Sequence, residues 1–269
     1  MRASKFFIVI ILSLELVACR TLHKVKVAIG LKQKYFGFNY HDPDFACQRN
    51  TISRSERYNQ DYLIKWNLIR SEYSKRNKSI SKPDAVIVGD SLVHIFHGLG
   101  EGQETLRNEF PGIEIHGRGI GGDTTSLLLQ RLEKDVLSVQ PKTVIIEIGG
   151  NDLIFGNCLS AMEENVRKIV ELIQAKEPKT RILFLSVPPI ASKKLNTITP
   201  VYNLFLNSLE KKYKNFYYIE FWTKMREQDK PIIKQELRRP RDKIHFNRNG
   251  YKIWGEVLRP YFKQTNKKD

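Results

Sequence analysis

From Lys82 onward, short apolar runs alternate with longer stretches of helical period. Ala85 to Val88, Ile113 to Ile115, Thr143 to Ile148, Arg181 to Ser186 and Phe216 to Phe221 have the length and the β-branched or aromatic content of buried strands. Residues 92–108, 124–139, 160–175 and 200–213 lie between or after them with the spacing of amphipathic helices, and 248–262 form a last one. Strands alternating with helices require right-handed crossovers and a mainly parallel sheet covered on both faces. The expected fold is therefore α/β, a three-layer α/β/α sandwich around five strands. Ahead of it, over about 56–76, Tyr58, Tyr62, Trp66, Ile69 and Tyr73 recur at steps of four and three. That spacing gathers them on one helix face, and core packing is the ordinary use of such a stripe; a membrane or partner surface is the sharper alternative.

The amino terminus has a different pattern. Arg2 and Lys5 precede an apolar run from Phe6 to Leu14, and Leu16-Val17-Ala18-Cys19 closes it with a small residue and a cysteine. The run is too short to cross a bilayer comfortably, and its basic flank and small-residue end are those of an export signal. The last four residues resemble a bacterial lipobox, which implies cleavage before Cys19, lipidation of its thiol and a protein tethered to a cell-envelope membrane. Simple secretion, with Cys19 a bystander, is the plainer alternative. The expected organisation is a signal peptide at 1–18, a tether at 19–50 and one folded domain at 51–265.

With 269 residues there is room for one such domain and its tether. The formal charge of +16 suits an anionic membrane surface, an acidic polymer or nucleic acid. No nucleic-acid motif accompanies it, and the lysines and arginines are spread along the chain rather than massed in one block. Once Cys19 is assigned to lipid, Cys47 and Cys158 remain as an even pair, able to join in an oxidising compartment or to stay as two buried thiols.

Candidate chemistry sits where strands end. Gly89-Asp90-Ser91-Leu92 follows the first strand and opens a helix, placing Ser91 either as a nucleophile at the sheet's carboxyl edge or merely as a helix cap. Gly117 to Thr125, reading GRGIGGDTT, follows the second; its glycines let backbone N–H groups approach a ligand, with Gly122 the expected donor. A phosphate cradle is a poor alternative, because neither the dinucleotide pattern nor a Gly-Lys-Ser/Thr is present. Gly149-Gly150-Asn151-Asp152 follows the strongest strand and reads as a turn, or as a neutral amide donor at Asn151 for a developing oxyanion. Asp242-Lys243-Ile244-His245 precedes the last helix; an aspartate three residues before a histidine can fold back to fix its tautomer, although a salt bridge or a cap serves the pattern equally. His94 and His97 share a helix face but have no third metal ligand at helical spacing.

Taken in order, these four blocks resemble those of the SGNH, or GDSL, hydrolases. The resemblance spans about 83–262. It implies a serine esterase with Ser91 as nucleophile, Asp242 and His245 as the other triad members, and Ser91, Gly122 and Asn151 as oxyanion donors, needing no cofactor and no metal. Within the superfamily the chain is most similar to the platelet-activating-factor acetylhydrolase-like branch, which implies short acyl groups. Gly117 stands where that branch often has asparagine, and Phe246 where it often has proline. The implied substrate is a small-molecule, glycan or lipid ester, with carbohydrate and lipid esters left open. Lys230, Lys234, Arg238, Arg239 and Arg241 would give the site a basic rim if their loop closed over it. A surface-anchored binding protein on the same fold is the alternative from another class.

Overall fold

The computed structural model describes residues 60–97 and 110–262. The signal peptide, Cys19, the tether, Cys47, Tyr58 and the far end of the helix expected over 92–108 lie outside them. Five strands, β1 (Ala85–Gly89), β2 (Ile115–Gly119), β3 (Thr143–Glu147), β4 (Arg181–Leu185) and β5 (Phe216–Ile219), form one sheet in the order β2-β1-β3-β4-β5, with every pairing parallel. The helices of the described residues are α1 (Gln60–Asn77), α2 (Ser91–His97), α3 (Thr125–Asp135), α4 (Gly150–Phe155), α5 (Leu159–Lys176), α6 (Lys193–Asn196), α7 (Thr199–Ser208), α8 (Trp222–Met225) and α9 (Arg248–Leu258).

Side chains alternate across the strands, so each strand feeds two cores. Ala85, Ile87, Ile145, Leu183 and Leu185 meet Leu92, Val93 and Phe96 of α2 and Tyr251, Trp254 and Leu258 of α9. Val86, Val88, Val144, Ile146, Ile182 and Phe184 face the other way and are equally buried; on that side α3 packs on α5 and α5 on α7. This is the expected three-layer sandwich. The order also fixes where a site can form. The chain leaves β1 outward to β2 and then crosses back to β3, so the carboxyl ends of β1 and β3 flank a crevice, the usual ligand position in open α/β sheets.

Two boundaries differ from the sequence reading in ways that matter. The second strand is shifted to Ile115–Gly119, because Gly117 and Arg118 pair with Ile87 and Val88 of β1 and are buried there. Asn151 is not in a turn but in the first turn of α4. The aromatic stripe of α1 is core: Trp66 and Tyr73 are buried with Ile120 and Leu127, and Tyr62 and Ile69 pack against them. Cys158, just ahead of α5, is disulfide-bonded, and its partner lies outside the described residues.

Candidate active site

Ser91 is the first residue of α2, immediately after β1. Asp90 holds the turn: its Oδ1 accepts the Leu92 N–H at 2.9 Å and its main-chain oxygen accepts that of His94 at 3.0 Å. The hydroxyl meets a residue distant in sequence, with Ser91 Oγ 2.9 Å from His245 Nε2.

The His245 loop is built by Asp242. Arg241 takes a left-handed φ of 62°, which turns the chain sharply into it. Asp242 Oδ1 then accepts the N–H groups of Ile244 (2.8 Å) and His245 (3.0 Å), and Oδ2 lies 2.8 Å from His245 Nδ1. Partial burial pushes the Asp242 carboxyl up, but the two N–H groups and the imidazole outweigh it and hold its pKa at about 2. An ionised carboxylate only accepts hydrogen bonds, so Nδ1 carries the ring proton and Nε2 presents its lone pair to the Ser91 hydroxyl. Phe246, the departure from proline, is fully buried against Tyr251 and Trp254 and fastens this loop to the core. Asn247 caps α9 by accepting from Asn249 and Gly250, worth about 1 kcal/mol at such positions. Tyr251 of α9 donates to the Leu92 carbonyl at 3.1 Å, joining the helix that follows the His245 loop to the helix that Ser91 opens.

Gly122 and Asn151 stand at the same place. Gly122 has φ +85°, a conformation suited to glycine, and lines the same cavity as Ser91. Asn151 is delivered by the turn at Gly149, whose φ of +121° and closeness to Tyr202, 2.5 Å from any added Cβ, admit no side chain. Its Nδ2 donates to Asp90 Oδ2 (3.1 Å) and to the Asp123 carbonyl (3.0 Å). Both amide hydrogens are thus directed at protein acceptors, of which Asp90 lines the cavity with Ser91 and Asp123 does not. Asp152 ties this block to the GDTT block, accepting from the Thr125 N–H (2.8 Å) and hydroxyl (2.9 Å).

All five residues expected at the site, Ser91, Gly122, Asn151, Asp242 and His245, therefore line or adjoin one crevice. Its cavity measures about 280 Å³, and Leu92, Leu153, Ile154, Val187, Ile190 and Leu195 make most of its wall apolar. None of Lys230, Lys234, Arg238, Arg239 and Arg241 lines it. Arg238 instead donates to the Asp242 carbonyl at 2.7 Å, so it braces the loop. His97 lies 2.7 Å through Nε2 from the Ile115 carbonyl, a packing role on the sheet.

Sequence reasoning missed the carboxyls behind the site. Asp90 and Glu147 are buried together at the ends of β1 and β3. Burial pushes the Asp90 carboxyl up to about 7 against the pull of the Leu92 N–H. Burial and the facing Asp90 raise Glu147 well above the usual carboxylate range. An acidic residue inside an otherwise apolar strand, as Glu147 is in TVIIEI, was the available signal.

A parallel five-stranded sheet carrying an aspartate, a histidine and a serine in hydrogen-bonded series at its carboxyl edge defines a serine-hydrolase type of site. The chain belongs to the GDSL-like lipase/acylhydrolase family, whose profile matches residues 87–253. It is similar to bovine platelet-activating factor acetylhydrolase IB subunit alpha1, 32% identical over 109 residues, covering 40% of this chain and 44% of the relative. The chicken alpha2 subunit is 29% identical over 126 residues, covering 45% and 52%. The chain thus spans about half the length of the curated relatives it matches. Among solved structures, a GDSL-like lipase from Bacteroides thetaiotaomicron superposes with a TM-score of 0.60 at 18% identity, covering 72% of this chain and 97% of the other. A catalytic mutant of an acetylxylan esterase from Geobacillus stearothermophilus gives 0.56 at 18% identity, covering 68% and 95%. At that identity the structural likeness speaks for the fold.

Proposed function

We propose that this protein is a serine esterase that cleaves short acyl groups, acetyl foremost, from carboxylic esters. The observation that carries the reading is the series Asp242 to His245 to Ser91, with links of 2.8 and 2.9 Å, opening onto a small apolar cavity. His245 Nε2 takes the Ser91 proton as Oγ attacks the ester carbonyl. The tetrahedral oxyanion is held by Asn151 Nδ2 and the main-chain N–H groups of Gly122 and Ser91. Collapse breaks the bond to the alcohol, which leaves with the proton from His245; water, deprotonated in turn by His245, releases the acid and restores Ser91. Asp242 keeps the ring in the right tautomer and balances the imidazolium charge.

The cavity supports a short acyl group, since about 280 Å³ lies at the lower end of ligand-pocket volumes. A relative named as a platelet-activating factor acetylhydrolase and a structural neighbour named as an acetylxylan esterase support an acetyl group as the acyl part. The alcohol part, glycan or lipid, stays outside this cavity. The basic flank, the apolar run from Phe6 to Leu14 and the small-residue end at Cys19 support an envelope lipoprotein, with its hydrolase domain tethered to a membrane by acyl chains.

The test is active-site labelling with a fluorophosphonate, followed by turnover of nitrophenyl esters of increasing chain length. Labelling and hydrolysis are lost in Ser91→Ala, and kcat/KM falls as the acyl chain outgrows the cavity. Hydrolysis that persists in Ser91→Ala defeats the assignment, and folded protein that neither labels nor turns over is a binder. Incorporation of labelled palmitate that is abolished by Cys19→Ser tests the anchor separately.

A further inference from the structure

The region matched by the family profile begins at residue 87, after α1 has ended at Asn77, yet α1 reaches into the proposed oxyanion site. Trp66 Nε1 donates to Asp123 Oδ1 at 2.7 Å, inside the protein. The other carboxylate oxygen of Asp123 accepts Arg131 Nε at 2.6 Å, and Asp123 and Arg131 are both fully buried. The main-chain oxygen of the same Asp123 receives Asn151 Nδ2 at 3.0 Å. One turn earlier on α1, Tyr62 packs on Gly122, so that a Cβ there would come within 2.9 Å of its ring.

Asp123 is thus gripped by its side chain on one flank and grips Asn151 by its carbonyl on the other. Of the two acceptors for the Asn151 amide, Asp90 lines the cavity with Ser91 while Asp123 does not, so an oxyanion in the cavity competes with Asp90 and leaves the Asp123 carbonyl as the bond that keeps the amide aimed. We propose that Trp66 is a positioning residue for this esterase, acting through Asp123 to hold Asn151 in register with the oxyanion. The proposal rests on the reading of the site as a serine esterase. It makes α1, a segment outside the matched family region, part of the catalytic geometry. Loss of the indole N–H leaves a buried carboxylate oxygen without its donor, and the loop moves to find another.

The experiment is a double-mutant cycle on the full chain with 4-nitrophenyl acetate. Trp66→Phe keeps an aromatic ring and removes the N–H; kcat is expected to fall about tenfold with KM changed less than about twofold, because the bond serves the transition state. Asn151→Ala is expected to cost about a hundred- to a thousandfold. In the Asn151→Ala background, Trp66→Phe is expected to cost less than about twofold, since the group it positions is gone. Tyr73→Phe is the control for general loosening: it removes another α1 bond, to the Gly119 carbonyl at 2.6 Å, and lowers stability while kcat holds.

A kcat for Trp66→Phe within about twofold of wild type overturns the proposal, as does a tenfold loss that persists beside Asn151→Ala or an equal loss in Tyr73→Phe. If Trp66→Phe does not fold, the wild-type Trp66 indole N–H resonance is followed during titration with methylboronic acid, which forms a tetrahedral adduct on serine. A shift that Ser91→Ala abolishes supports the coupling; an unmoved resonance overturns it. Wild type that is inert toward the ester and the fluorophosphonate refutes the esterase reading itself, a result separate from active wild type with an unaffected Trp66→Phe.

Discussion

Replacing Asp242 by asparagine tests the site through a single proton. The substitution is nearly isosteric, and the structure decides how the amide must sit. Oδ1 of Asp242 accepts two main-chain N–H groups, from Ile244 at 2.8 Å and His245 at 3.0 Å. An amide NH2 turned toward them would set donor against donor and leave partly buried groups unpaired, at about 1–3 kcal/mol each. The asparagine carbonyl therefore stays at that corner and its NH2 faces His245 Nδ1. A donor there forces Nδ1 to accept, and the ring proton moves to Nε2. Nε2 then points an N–H at Ser91 Oγ, 2.9 Å away, and has no lone pair with which to take the hydroxyl proton. A serine-hydrolase histidine held in the wrong tautomer loses about 10⁴-fold in kcat, or about 5.4 kcal/mol of barrier at about 1.36 kcal/mol per tenfold. The assay is kcat for 4-nitrophenyl acetate with Asp242→Asn and wild type purified side by side, with thermal melts to show that both are folded. A kcat within about tenfold of wild type would falsify the tautomer argument, because the base would then be reaching Ser91 without Asp242.

Two further outcomes follow from groups around the site. Asp90 and Glu147 have folded pKa values raised above those of the unfolded chain, so the folded state keeps protons that the unfolded chain has released. Their stabilising effect is complete below the ordinary carboxylate pKa and is lost as pH rises, for Asp90 through about 7, at up to about 1.4 kcal/mol per pH unit per group. Glu147→Gln removes one of these titrations, so its melting temperature relative to wild type should climb between pH 5 and pH 8.5; a pH-independent difference rejects the buried-acid account. Restoring the branch's frequent asparagine, Gly117→Asn, drives a Cβ into the His97 ring and should destabilise by about 1–3 kcal/mol in urea melts. Adding His97→Ala should recover most of that loss, and a double variant no more stable than Gly117→Asn would show that the two positions are not traded.

The sheet was legible because its evidence is local: Val86 to Val88 and Val144 to Ile146 are apolar on both faces, as strands buried between helix layers must be. The ends of elements were less so. The glycine-rich stretch reads as a loop from Gly117, yet the strand runs on to Gly119 in register with β1, and the His97 ring beside Gly117 and the α2 main chain at Val93 and His94 beside Gly119 fill the space that side chains there would need. Asn151 likewise reads as a turn residue, yet it lies in the first turn of α4, from which its amide reaches Asp90 and Asp123.

The candidate site divides along the same line. Ser91 and Asn151 follow strands and Asp242 and His245 stand three apart before the last helix, patterns each open to a plainer reading, and it is their order along the chain that marks them in a single sequence. What aims them depends on contacts between residues far apart: Trp66 with Asp123 across 57 positions, Asn151 with Asp90 across 61, Tyr251 with Leu92 across 159. No local period or motif tells which residue pairs with which across such separations. Glu147 is the instructive exception. A carboxylate inside an apolar strand is too costly to bury charged without a partner, so its presence in TVIIEI already implies a proton held on it or a second group beside it. The structure supplies that group in Asp90, the residue that also holds the serine's turn and the Asn151 amide.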